Sequence, residues 1–349
     1  MHYNYSRYFL GGVILLAGKK IKSLKFFYGI PHSHTEYSTG RLNPYEAFEY
    51  AKKNGLDFLV ITDHNVFLSK RLSYKGKSLS KWSISNLLAE KFRKRNENFL
   101  PLIGFETKTS FGDFNIINSN TYFTGVLVNF TLLILWMLNN PDSIVIINHP
   151  HHEILSLPYD ELLNKLITSV EVSNGSFPNK YTHHDKYLYK LLDAGWKLGV
   201  VNGQDNHRAN FGDSENLTVM VSDTLNSKTF IDCYRTRSTF STESKTLKMY
   251  FTINDYFMGE EMIVTQNNKL HFMIFAEDIR FKIESIEIVS NNNTVIKKIS
   301  DINLNSIKYL YDHEISKKWS WFLIRIHQEG DRLCISSPIF LSNTQKVEN

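Results

Sequence analysis

A chain of 349 residues that is 42% hydrophobic, 13% aromatic and 21% charged has the make-up of a folded globular protein, which excludes a disordered or collagen-like one. It is longer than one hydrophobic core usually organises, so one large domain with an appendage, or two domains, is expected. Two cysteines, Cys233 and Cys334, exclude a disulfide scaffold and a Cys-rich zinc ribbon; with thirteen histidines in the same chain, any metal chemistry must rest on nitrogen and oxygen ligands.

The net charge of +5 is unevenly placed. Residues 1–25 hold Arg7, Lys19, Lys20, Lys22 and Lys25 and no acid, so the rest of the chain sums to zero. Within that remainder, residues 66–95 carry nine Lys and Arg against Glu90, a local +8. This stretch reads as a solvated face, with steering of an anionic substrate as the alternative. The apolar run Phe9–Ala17 contains two glycines and is about half the ~20 residues a bilayer span needs. A strand or hairpin is the favoured reading, and a short signal-anchor the other. The chain is accordingly expected to be cytoplasmic, with no transmembrane span.

Phe26–Gly29 opens a series of strand-like runs. Asn43, Pro44 and Glu46 then supply the cap, first-turn proline and N3 acid of a helix that Gly55 closes. Asp57–Thr62, Phe99–Ile103, Ile144–Asn148, Ser169–Val172 and Leu198–Asn202 are further strands, each running into polar residues. Val126–Leu138, interrupted by Asn129 and Thr131, reads as a buried helix, and Tyr187–Leu192 as a helix ended by Gly195. Strand–helix alternation predicts parallel strands, and chemistry-bearing residues after each strand predict a barrel with its site at the C-terminal mouth. From Leu247 onward period-two runs replace helix signals, which predicts a small antiparallel sandwich with Trp319 and Trp321 in its core. The expected organisation is a tail over residues 1–20, a barrel over 21–245 and a sandwich over 246–349.

His32-Ser33-His34 follows the first strand, where alternate side chains point the same way and two imidazoles can converge on one ion. Asp63-His64 follows the second, Glu106 the third, Asn148-His149-Pro150 the fourth, and Asp205-Asn206-His207 the last. Any one of these motifs is unspecific. Repeated placement of ligand-type side chains just beyond apolar strands is not what core filling would produce.

In this order the segments His32–Gly40, Ile61–Asn65, Gly104–Glu106, Asn148–Pro150, Val170–Gly175 and Asp205–His207 resemble the PHP (polymerase and histidinol phosphatase) superfamily. Ser238–Gly259 and Ser337–Phe340 resemble the tail of its CehA/McbA-type metallohydrolase branch. The resemblance spans about residues 25–342. It implies an α/β fold, a distorted (βα)7 TIM-like barrel, with two or three clustered divalent ions (Mn2+, Fe2+ or Zn2+). Carried over by position, His32, His34, Glu106 and Asp205 would hold one metal. Glu106 would bridge to a second, also held by His149 and Asp113, and His64 with His207 would hold a third. Asp113 stands where the family usually has histidine, which favours the harder manganese or iron. Thr39 stands where an Asp or His is expected, so a dinuclear core with a weak or absent third metal is predicted.

The function so implied is that of a metal-dependent hydrolase using a metal-bridging hydroxide. A phosphoester of a small anionic molecule is the first substrate reading, and a carboxylic or carbamic ester or amide the second. A catalytically degenerate binding module, motivated by Thr39 and Asp113, is the third. Asp63 is expected to orient a ligand imidazole, with Glu171 either doing the same or binding backbone amides. His151 and His152 are candidate proton donors or phosphate contacts, and Arg208 a candidate anion clamp. The remaining histidines carry no claim. Nucleic acid is disfavoured as a substrate because basic residues are not interleaved with aromatic ones.

Overall fold

The structure, a computed structural model, describes residues 14–16, 19–21, 24–127, 129–264, 269–315 and 319–343. His2 and most of the run Phe9–Ala17 lie outside these residues. Within that run, Ile14–Leu16 pairs antiparallel with Lys19–Ile21. No helix among the described residues is long and apolar enough to cross a membrane.

The first unit forms as its residues dictate. β1 (Lys25–Ile30) leads through the His32–His34 segment to α1 (Pro44–Lys53). Asn43 Oδ1 accepts from the Tyr45 and Glu46 amides, and Glu46 Oε2 accepts from the Asn43 amide, a reciprocal cap. β2 (Phe58–Ile61) is buried on both faces, as a run of four apolar residues requires. Leu59 and Ile61 pack under α1 and α2 (Lys81–Arg93), while Phe58 and Val60 meet Leu102, Ile146 and Val201 on the opposite side.

The next elements are β3 (Leu100–Thr109), β4 (Gly112–Ile117), α3 (Phe130–Asn139), β5 (Ile144–Ile147), α4 (Glu161–Leu166), β6 (Ile167–Asn174), α5 (Asp185–Asp193) and β7 (Gly199–Gly203). β1, β2 and β3 pair in parallel, as do β5, β6 and β7. β4 is antiparallel to both of its neighbours, so the expected all-parallel order is broken there. The cause is a tight turn at Gly112, whose φ of +112° folds β4 straight back on β3.

The sheet does not close into the expected barrel. The free edge of β1 is taken by an antiparallel ladder with β8 (Leu217–Ser222), followed after α6 (Ser227–Thr236) by β9 (Thr239–Thr242). Between β7 and the segment after β1 there is a single bridge, Ser33 to Asn206. The rim is nevertheless joined by main-chain hydrogen bonds: Asp205 N to His32 O (3.0 Å), His34 N to Asn206 O (3.1 Å), Thr62 N to Ser33 O (2.8 Å), Glu106 N to Asp63 O (3.3 Å) and Asn148 N to Asp113 O (2.9 Å).

The tail is β-rich as expected but is not a free-standing sandwich. β10 (Lys248–Ile253), β11 (Lys269–Glu277) and a strand at Ser306–Glu314 form an antiparallel layer. The facing strands Ile283–Ser290, Trp321–Gln328 and Arg332–Ser336 belong to the main sheet, because Arg332–Ser336 pairs with β9. Glu261–Val264 pairs in parallel with Ile339–Asn343, another departure from a purely antiparallel tail. Trp321 leaves the predicted tail core: it stacks on Tyr189 of α5 and donates Nε1–H to Asp193. The expected buried helix at Val126–Leu138 is also corrected, since α3 buries Leu133 and Met137 and exposes Leu132, Leu135 and Leu138.

At the far end of β2, Asp57 Oδ2 accepts from the Tyr28 amide at 2.7 Å. Burial pushes this carboxyl up to about 6 despite that hydrogen bond. The folded state therefore favours the protonated acid: the penalty is absent below about pH 4 and complete above pH 6, where it reaches at most about 3 kcal/mol. Asp57→Asn keeps an acceptor for Tyr28. It is expected to raise stability in urea unfolding at pH 7.5, with the gain vanishing at pH 4.

Candidate metal centre

The rim hydrogen bonds place the predicted side chains in one cluster. Ser33 Oγ donates to Val60 O at 2.8 Å and so anchors the residue between the two histidines away from the mouth. His32 and His34 therefore turn the same way, with their Nε2 atoms 3.2 Å apart and no exposure to solvent. Glu106 lies opposite, within β3 and not beyond it as the sequence reading had it. Its Oε1 is 3.4 Å from His32 Nε2 and 3.6 Å from His149 Nε2; its Oε2 is 3.2 Å from His34 Nε2 and 3.0 Å from His64 Nδ1. Asp205 Oδ1 faces His34, His32 and His207 at 3.0, 3.3 and 3.5 Å.

Four overlapping groups each bring three ligand atoms within 4.8 Å of one another: His32, His34 and Glu106; His32, His149 and Asp205; Glu106, Asp113 and His149; and His34, His64 and His207. All eight predicted ligand residues are thus brought together. Thr39 is exposed and offers neither a carboxylate nor an imidazole.

The supporting shell sets which ring nitrogen faces inward. Glu171 Oε1 takes His32 Nδ1 at 2.8 Å, so the His32 lone pair on Nε2 points into the cluster. The other Glu171 oxygen accepts from the His149 amide and from Asn174 Nδ2, both at 2.8 Å. Glu171 thus takes both of its expected roles at once. Ser38 gives its single hydroxyl proton to Asp63 Oδ1, which leaves its oxygen to accept from His34 Nδ1 at 3.3 Å. Asp63 also holds Thr35 N (2.8 Å) and Thr35 Oγ1 (2.5 Å), so it touches no imidazole directly and reaches His34 only through Ser38. Asn148 Nδ2 donates to Glu106 Oε1 at 2.8 Å.

His149 and Asp205 hold φ values of +21° and +48°, which L-residues rarely adopt. Such strain persists where surrounding structure imposes it, commonly at functional sites.

Burial works to lower the His32 and His34 pKa values, but the facing carboxylates outweigh it: His32 is raised well above its usual range by Glu171, Asp205 and Glu106, and His34 to about 9. Conversely, burial would raise Glu106 and Asp205, yet the imidazoles hold both below the usual carboxylate range. Protons and a divalent cation compete for these lone pairs. Asp113 supplies a direct mark of fit: its Oδ1 is buried without a hydrogen-bond partner. Burial and the neighbouring Glu106 raise its pKa.

The helper residues are less gathered. His151 and His152 are exposed, with the His151 ring 6.2 Å from that of His149. Arg208 is exposed and lines a cavity of about 240 Å³ together with Asp205 and His207. The basic stretch 66–95 forms the Arg71–Ser80 hairpin region and α2. Its Lys81 is buried and spends its ammonium on Tyr37 O at 2.7 Å. His184, given no role from sequence, is buried beside His151 with rings 5.7 Å apart.

A family model for the PHP domain matches residues 31–203, the stretch that carries most of this cluster. The chain contains a PHP domain. Among solved structures, a two-domain protein of Bacteroides vulgatus containing a predicted PHP-like metal-dependent phosphoesterase aligns over 93% of this chain and 95% of its own, at 14% identity and a TM-score of 0.50. PsfC of Pseudomonas syringae aligns over 60% of this chain and 98% of its own (12% identity, TM-score 0.40). An amidohydrolase of Chromobacterium violaceum aligns over 51% and 86% (14%, 0.33). At 14% identity the Bacteroides match speaks for the shared fold of both parts. No curated protein sequence matches the chain.

Gly203 closes the shell of the PHP domain from behind. A Cβ there would stand 1.9 Å from Glu171 Oε1. Gly203→Ala is therefore expected to displace Glu171 from His32 and weaken divalent-ion binding about 10- to 100-fold, the usual cost of losing an outer-shell partner. Isothermal titration with Mn2+ measures this, with circular dichroism as the check on folding.

Proposed function

We propose that this protein is a divalent-metal-dependent phosphoesterase acting on a small anionic ester. The observation that carries the reading is the Glu106 carboxylate, which belongs both to the ligand-atom group with His32 and His34 and to the group with Asp113 and His149. That is the donor arrangement of a carboxylate shared by two cations. In this reading His32, His34, Asp205 and Glu106 would hold one ion, and Glu106, His149 and Asp113 would hold the other. The oxygen donor Asp113 favours manganese or iron over zinc. His64 and His207 offer a weaker third position. The CehA/McbA-type branch is proposed on the sequence resemblance of Ser238–Gly259 and Ser337–Phe340 alone.

Divalent ions bound there would supply Lewis acidity and a water acidified toward neutrality. The chain's own part is positional. Glu171 and the Asp63–Ser38 pair fix the tautomers of His32 and His34, and Asn148 fixes the plane of Glu106. Neither cysteine serves as a nucleophile: burial pushes Cys233 up to about 12 and Cys334 well above its usual range. Arg208 would neutralise the phosphate, and His151 at the rim would deliver a proton to the departing alkoxide.

Two outcomes are expected. The purified protein should carry at least one equivalent of divalent metal that the His32→Ala/His34→Ala double variant loses, by mass spectrometry of the acid-released metal; equal content in both would contradict the ligand set. With Mn2+ the protein should hydrolyse an aryl phosphate faster than the matching aryl acetate, and Arg208→Ala should raise KM for the phosphate about tenfold, the scale of one lost charge-assisted contact. Preference for the acetate would favour the carboxyl-ester reading instead.

A further inference from the structure

The loop after β6 presents an aromatic ring that the fold does not use. Phe177 is 66% exposed, yet its main chain is held on both sides: its amide donates to Ser214 Oγ at 2.6 Å, and its carbonyl accepts from Asn210 Nδ2 at 2.5 Å. Asn210 is itself buried and accepts from Asn206 Nδ2 at 2.9 Å. Asn206 in turn sits between the two metal-site candidates Asp205 and His207. The ring is therefore carried on a braced loop tied to the metal centre, not on a loose one.

Phe177 also stands where two cavities adjoin. One, about 240 Å³, has Asp205, His207 and Arg208 on its wall. The other, about 420 Å³, runs toward the tail, where Tyr181 and Arg332 line it. Phe177 and Asn179 belong to both linings. Tyr181 is fixed as well, its hydroxyl accepting from the Glu215 amide at 3.0 Å. The first cavity is at the small end of ligand pockets, sized for one compact group. A substrate whose charged end reaches Asp205 and Arg208 can lay its remaining body across the Phe177 ring, which lines the same cavity.

We propose that Phe177 is a specificity-determining residue, and that the substrate is an ester whose alcohol portion is a flat aromatic group stacked on this ring. The inference rests on the phosphoesterase reading for the identity of the anionic end. The flat partner follows from the ring itself: an exposed aromatic face carried on a braced main chain gains most from offset or edge-on contact with another ring. The Phe177 side chain contributes through this contact and takes no part in bond breaking.

Calorimetric titration of the manganese-loaded protein with phenylphosphonate and with methylphosphonate isolates the ring, since the two probes share the anionic head and neither is hydrolysed. The wild-type protein is expected to bind phenylphosphonate about five- to tenfold more tightly, the scale of one aromatic pair. Phe177→Ala and Phe177→Leu should both abolish that preference while leaving methylphosphonate binding unchanged. Because the side chain is exposed, neither variant removes core packing. Equal binding of the two probes by the wild type, or a preference that survives in Phe177→Ala, would overturn the proposal. Turnover of phosphate esters is the separate check on the underlying reading: an inactive protein that still prefers phenylphosphonate keeps the subsite, and an active one that binds both alike loses it.

Discussion

A carboxylate buried among imidazoles is the constraint on which the rest of this structure depends. Glu106 is almost fully enclosed, and an isolated charge so placed would cost several kcal/mol. It is tolerated because four ring nitrogens converge on it and Asn148 supplies a hydrogen bond. His32 and His34 in turn are tolerated because Glu171 and Ser38 hold their outer nitrogens. No member of the set is satisfied alone. Such mutual dependence makes a fully connected buried network rigid, and makes a half-connected one costly.

The fold delivers this network through its rim and not through a closed ladder. β7 and the segment after β1 share one bridge, while the His32–His34 segment is hydrogen-bonded to residues 62 and 205–206 on its two sides. The remaining edge of β1 is free to pair with β8, and through β9 the same sheet continues into the tail. The tail is thereby fastened to the PHP domain by main-chain pairing and by Asp193, which binds Trp321 Nε1 and the Asn292 amide. A continuous connection of this kind gives the second cavity, with its wall at Arg332, a fixed position relative to the metal centre.

Much of the site was legible because ligand-type residues recur at strand ends, where period-two geometry and a shared rim make convergence the expected outcome. His32, His34, His64, His149, Asp205 and His207 were found in that way. Asp113 is reached only through family resemblance, and Glu106 reads as lying beyond its strand, because the antiparallel return of β4 has one local signal, Gly112 between two alternating runs. The linkage of Asp63 to His34 through Ser38 involves three residues whose meeting depends on how the loop after β1 folds. The exposure of α3 is not legible in the sequence, because an apolar run says that a helix is hydrophobic without saying which face is covered. The tail was legible as β-rich, but its continuity with the main sheet rests on a long-range pairing that no local pattern announces.

The central claim is that Glu106 is shared between two cations. Anomalous diffraction from crystals grown with Mn2+, recorded at the manganese absorption edge, tests it most directly. Two peaks are predicted, one on each side of the Glu106 carboxylate, the first among His32, His34 and Asp205 and the second against His149 and Asp113. A map with no peak in contact with Glu106, or with metal only on surface carboxylates, would contradict the account.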